Sequence, residues 1–180
     1  MSDLIKAPHS SPRALAKAQR AEDRRQYLAF SSGGETFAID IRSIREVIQY
    51  EGLTEVPLMP AFIRGVINLR GSVVPVLDLA LRLGRGLAEV ARRTCVVILE
   101  VPAEDRTAVV GILVDSVNEV LDIGSSEIDP APSFGQGPRS ELICGVGKVG
   151  GRFVILLDVT HLLSTQEMGT LAGVQNLAEA

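Results

Sequence analysis

The sequence predicts a mainly β protein made of two β subdomains of similar plan. Its apolar runs are short, rich in valine and isoleucine, and punctuated by glycine turns, which is the pattern of strands rather than helices. Regular short strands with tight turns suit small barrels or a sandwich. The chain also contains a copy of itself. "IRGVINLRGSVVPVLDLALRL" (63–83) aligns without a gap with "ICGVGKVGGRFVILLDVTHLL" (143–163) at an offset of 80.

Taken in order, strands at 26–31 and 35–40 flank "SGGE", whose glycines supply the positive φ of a tight hairpin. A brief helical signal follows at 41–48. Strands at 62–69 and 72–78 flank "LRGS" in the same way, and 79–83 is a second short helical stretch. The valine-rich segments 94–101 and 107–114 are further strands. The pair 142–149 and 152–158 flanks "VGGR" and leads to a helical turn at 160–163.

Within the aligned copies Gly65 matches Gly145, Gly71 matches Gly151 and Asp78 matches Asp158. Both aspartates close a strand and precede a helical turn, so both are expected to act as N-caps that accept backbone N–H bonds. Upstream, "IREVI" (44–48) resembles "VNEVL" (117–121) at an offset of 73. The difference of seven residues fits an insertion of "SFGQGPR" (133–139) in the second copy. The first subdomain is therefore expected over about 37–83 and the second over about 111–163, with strands 26–31 and 94–101 crossing between them. The seam between such halves is a natural groove for ligands or partners.

Composition narrows the class. The 180 residues are 46% hydrophobic, enough for a real core. The formal net charge of -4 lacks the basic excess of a nucleic-acid binder. Residues 1–25 carry six basic side chains against three acidic ones, and the rest carry twelve against nineteen. A short basic arm, read as a solvated tail with a frayed helix, thus precedes an acidic body. Residues 164–180 form a second tail of helix-like composition. The N-terminus has no secretory-signal core, and no uncharged apolar run approaches the ~18 residues a membrane span needs. Cys95 and Cys144 are expected to be small buried hydrophobes rather than a disulfide. These features point to a cytosolic protein.

The duplication isolates one residue. Where the first copy has Arg70–Gly71 in its hairpin turn, the second has Gly150–Gly151. The same turn therefore forms without a side chain at that position, where positive φ favours Gly or Asn. Arg70 is present for its guanidinium, a planar fork of donors suited to carboxylates. Glu46, read as lying on a short helical turn, is the expected partner. An exposed pair adds only about 0–1 kcal/mol, so its expected place is a binding surface, where it orients the site more than it stabilises the fold.

No catalytic constellation is visible. His9 lies in the basic arm and His161 in a helical turn, no His/Cys/Asp cluster has metal-ligand spacing, and no glycine-rich loop matches a phosphate-binding motif. Trp is absent and aromatic residues make up 4% of the chain, which argues against stacking on bases or sugars. A binding module is the class that remains.

At this point the sequence resembles the CheW-like coupling proteins of bacterial chemotaxis. The stretch "FAIDIRSIREVIQYEGLTEVPLMPAFIRGVINLRGSVVPVLDL", then "VGILVDSVNEVLDI" and "ICGVGKVGGRFVILLDV", carries the likeness over about 26–163. The resemblance implies two SH3-like, five-stranded β-barrels packed side by side, without cofactor or metal. It implies a non-catalytic adaptor linking the regulatory domain of a CheA-type histidine kinase to the cytoplasmic tip of methyl-accepting chemoreceptors. Such an adaptor is cytoplasmic, is recruited to membrane receptor arrays, and neither inserts into the membrane nor binds nucleic acid. Glu46 and Arg70 match the family's conserved glutamate and turn arginine, and Val47, Ile48, Asn68 and Gly71 fall in the implied recognition region. The groove between the barrels would take the receptor's helical hairpin, and the end of the first barrel the kinase. The C-terminal tail is placed to cover part of that groove. Two other classes stand against this reading, a small-molecule sensor using the seam as a pocket and an enzyme with an unrecognised site.

Overall fold

The computed structural model describes residues 12–13, 23–131 and 140–177. Most of the basic arm and the 133–139 insertion lie outside the described residues. The strands are β1 (Arg24–Ser32), β2 (Glu35–Asp40), β3 (Ile44–Gln49), β4 (Ile63–Leu69), β5 (Ser72–Asp78), β6 (Cys95–Pro102), β7 (Thr107–Val114), β8 (Ser116–Gly124), β9 (Ile128–Pro130), β10 (Ile143–Val149) and β11 (Arg152–Leu157). A one-turn helix α1 (Leu79–Arg82) follows β5, and a longer helix α2 (Thr165–Leu177) follows β11.

The strands form two sheets. The first has the order β3-β6-β7-β5-β4, and the second β8-β1-β2-β11-β10-β9. They share one plan. β5 runs parallel to β7 with Val76 opposite Gly111, and β11 runs parallel to β2 with Leu156 opposite Ala38. The register slips between Ile63 and Gly65 in one hairpin and between Ile143 and Gly145 in its counterpart. The bulge is thus duplicated along with the sequence. The sixth strand of the second sheet, β9, corresponds to a single bridge, Thr54 to Val66, in the first.

Strand membership differs from the division drawn from the repeat. The first sheet is one continuous stretch, 44–114, so the strand at 107–114 belongs to it. The second is discontinuous: the β1–β2 hairpin is separated from β8–β11 by the whole first sheet. Sequence similarity marks equivalent strands but carries no information on which partner each one joins.

Burial explains why the apolar runs are so dense. In β6, Val96 and Ile98 fill the first barrel together with Val74, Val76 and Leu113. The alternate residues Val97, Leu99 and Val101 face the other way and meet Leu28, Phe30, Phe37 and Ile39 of the second sheet. Tyr27, Ala38, Ile123, Val154 and Leu156 fill the second barrel. The central strands are therefore buried on both faces, and their period of two is hidden in a continuous apolar run. The stacked Phe30 and Phe37 rings, 6.0 Å apart, sit in the shared core.

Two local expectations are corrected. Residues 41–48 are not a helix: a 3-10 turn at Ile41–Ser43 leads straight into β3. Ile41, Ile44 and Ile48 have helix-like spacing, but the burial of β3 alternates with a strand's period of two. The cysteines are not buried hydrophobes either. Cys95 is half-buried at the start of β6, and Cys144 is exposed at the bulge of β10.

The C-terminal helix is docked by a built clasp. Ser164 and Glu167 form a reciprocal capping box: Glu167 N donates to Ser164 Oγ at 3.1 Å, and Ser164 N donates to Glu167 Oε1 at 2.8 Å. Arg82, at the end of α1, donates to both Glu167 oxygens at 2.9 and 2.6 Å and lies 4.5 Å over the Phe62 ring. Leu171 is thereby held in the shared core beside Met168. Burial alone would raise the Glu167 carboxyl, but its bonds to Arg82 and Ser164 outweigh that and hold it below the ordinary 4.5. A folded pKa that is depressed means the clasp is at full strength above 4.5 and weakens as pH falls toward the folded value. Amide exchange in α2 should accordingly quicken below that point in the native chain. Glu167→Gln should show fast exchange already at neutral pH and no acid step of this origin. An equal acid step in the variant would sink this account.

Candidate functional site

The β4–β5 turn is built as the repeat comparison requires. Arg70 and Gly71 have φ of 53° and 88°, and Gly150 and Gly151 have φ of 57° and 79°. Both pairs adopt the left-handed geometry of a primed two-residue turn, which costs a non-glycine residue about 1–2 kcal/mol. Asn68 tightens the first turn, its Oδ1 accepting from Gly71 N at 2.9 Å.

Arg70 spends that strain on a contact. Its Nη2 donates to Glu46 Oε2 at 3.0 Å, with the Arg70 side chain 76% exposed and that of Glu46 only 22% exposed. Glu46 lies on β3 and Arg70 at the tip of β4, the two outer strands of the five-stranded sheet. The pair therefore ties opposite edges of one sheet and helps close it into a barrel. Glu46, Arg70, Val73 and Thr107 line an open cavity of about 440 Å³ at this closure.

The other face of β3 presents Val47, which is 40% exposed. Val47 and Ile48 line a second and larger groove of about 660 Å³ with Val117 and Asn118 of β8 and with Arg92 and Arg93 from the connector before β6. β3 and β8 are edge strands of the two sheets, so this groove is where the barrels meet at the surface. Val120, further along β8, is 53% exposed and stands at the repeat position of Val47. The seam itself is no cleft, because the shared core fills it. The groove lies on its rim, and among the described residues none of its lining comes from α2.

The remaining residues singled out from the sequence sit in the scaffold. Asp78 caps α1, accepting from Leu81 N at 3.1 Å. It also accepts from Arg64 Nη1 at 2.8 Å and from Ala88 N at 2.9 Å, and it is fully buried. Asp158 caps the 3-10 turn Val159–His161, accepting from Thr160 N at 3.0 Å. Gly65 lies where β4 passes Thr54, so close that a Cβ there would stand 2.5 Å from the Thr54 carbonyl oxygen.

Comparison with known proteins gives the family. Residues 26–167 match the family model of the CheW-like domain. The chain belongs to the CheW-like family. It is 37% identical over 155 residues to the chemotaxis protein CheW of Klebsiella aerogenes, covering 86% of this chain and 89% of that one. It is 31% identical over 161 residues to protein FrzA of Myxococcus xanthus, covering 89% and 97% respectively. The crystal structure of scaffolding protein TtCheW from Thermoanaerobacter tengcongensis superposes with a TM-score of 0.70 at 29% identity, covering 78% of this chain and 88% of that one. The fold is accordingly that of a CheW-like protein, two SH3-like barrels side by side. Among the described residues no helix is long and apolar enough to cross a membrane. Sequence reasoning about this CheW-like chain found the β3 side of the groove and missed β8. The signal was present, since the offset of 73 that pairs Glu46 with Glu119 also pairs Val47 with Val120.

Proposed function

We propose that this protein is a non-catalytic adaptor that couples chemoreceptors to a CheA-type histidine kinase in a chemosensory array. The observation that carries the reading is Arg70. It is an exposed arginine held in a strained turn that glycine fills in the sister barrel, and it is aimed at the half-buried Glu46 within a CheW-like fold. Strain of this kind persists where function requires it. The groove between β3 and β8, with Val47 on one side and Val117 on the other, takes a helix of the receptor tip laid along it. The end of the first barrel docks the regulatory domain of the kinase, and the Glu46–Arg70 pair lies near the receptor-binding surface. Rigid barrels hold the two surfaces in fixed relation, so receptor motion reaches the kinase as a change of geometry. Such coupling needs contacts that differ between signalling states.

The test is a pull-down with a CheA-type kinase and a receptor fragment. Arg70→Glu should weaken ternary assembly at least about tenfold, ~1.4 kcal/mol, while circular dichroism and melting stay native. The swap Glu46→Arg with Arg70→Glu should recover part of that loss. Unchanged binding of both partners by Arg70→Glu would remove the residue from the interface.

A further inference from the structure

The rim groove carries charge of one sign. Val47, Ile48 and Val117 supply its apolar part and Arg92 and Arg93 its charged part, while no carboxylate among the described residues lines it. This is unusual in a chain of net charge -4. Eight other arginines lie within 4.0 Å of a carboxylate. Arg92 and Arg93 have no such partner among the described residues, and both are exposed.

Their position is fixed by the backbone. Ala91 N donates to the buried Thr94 hydroxyl at 2.8 Å, and Thr94 N returns a bond to Ala91 O at 3.2 Å. Thr94 O in turn accepts from Tyr50 N at 3.1 Å, just past the end of β3. Arg92 and Arg93 thus occupy the two central positions of a turn stapled to the groove strand. Two adjacent permanent cations on a stapled turn, beside an apolar floor, form a preorganised site for anionic groups.

We infer that the groove recognises a helix whose apolar stripe is flanked by carboxylates, and that Arg92 and Arg93 select it by pairing with those carboxylates. This deepens the proposed receptor role of the groove and rests on it. Apolar contact with Val47 and Val117 supplies affinity. The arginine pair supplies steering and partner choice, so association with the receptor is salt-dependent.

The experiment uses the full chain and a soluble helical-hairpin fragment of a chemoreceptor tip, with affinity measured at low and high salt. Arg92→Glu with Arg93→Glu should weaken binding about tenfold or more at low salt and reverse the salt dependence, because salt then screens a repulsion. Binding to the kinase regulatory domain should stay unchanged, which shows that the fold is intact. Replacing flanking carboxylates of the fragment with lysine should restore its affinity for the reversed chain. Val47→Asp serves as the second arm and should abolish binding at every salt concentration. If Val47→Asp abolishes binding but charge reversal alters neither affinity nor salt slope, the arginine inference is overturned and the groove reading stands. If Val47→Asp has no effect, the groove reading fails and the inference goes with it.

Discussion

Arg64→Met should destabilise the protein by about 3 kcal/mol, the loss that follows when one member of a buried ion pair is removed. Asp78 is fully buried, and Arg64 is the cation that neutralises it, at 2.8 Å. Arg64 Nη1 also donates to Ala88 O at 3.1 Å, while Ala88 N donates to Asp78. The three residues thus pin the connector 84–94 across one end of the first barrel. Methionine keeps most of the packing volume but leaves a carboxylate in an apolar site with two backbone donors and no counter-charge. The melting temperature should fall by roughly 6–12 °C. Adding Asp78→Asn to the variant should recover part of the loss, because the charge is then gone. The second barrel offers a control. Its matched Asp158 has a side chain that is 35% exposed, and the bulge position opposite holds Cys144 in place of the arginine. There the Thr160 hydroxyl donates to Asp158 Oδ1 at 2.6 Å in place of a guanidinium. A cost below ~1 kcal/mol for Arg64→Met would show that Asp78 does not depend on its partner.

Gly65→Ala should cost about 2–3 kcal/mol through overpacking against backbone. The added methyl would stand 2.5 Å from Thr54 O and 3.0 Å from Thr54 C. That carbonyl cannot retreat, because Thr54 and Val66 exchange backbone bonds of 2.9 and 2.8 Å that help close the barrel. In the second barrel, Gly145 faces the Ile128 Cγ2 methyl at 2.8 Å and Asp129 O at 3.0 Å. The isoleucine side chain can shift more easily than a bonded carbonyl, so Gly145→Ala should be the milder change. Thermal melts of the two variants rank them directly, and equal losses would mean that the bridge at Thr54 yields.

Much of this structure was legible before any coordinates. The hairpins were marked by their glycine pairs, the caps by aspartates at strand ends, and the doubling by a gapless offset of 80. Three features were hidden for physical reasons. β3 carries apolar residues whose spacing fits a helix as well as a strand, and only burial against β6 separates the two. The assignment of hairpins to sheets was invisible because the central strands are apolar on both faces and declare no partner. The rim groove was read only on its β3 side, since Val117, Arg92 and Arg93 are distant in sequence and meet because two edge strands converge.

The nesting of one sheet inside the other has a mechanical consequence. The chain leaves the discontinuous barrel through the three residues Ile41–Ser43 and returns to it through Asp115 alone. Two such short tethers, backed by the common apolar layer, leave no slack for swivelling. A push delivered at the rim is passed through the body as through a lever rather than absorbed at a joint.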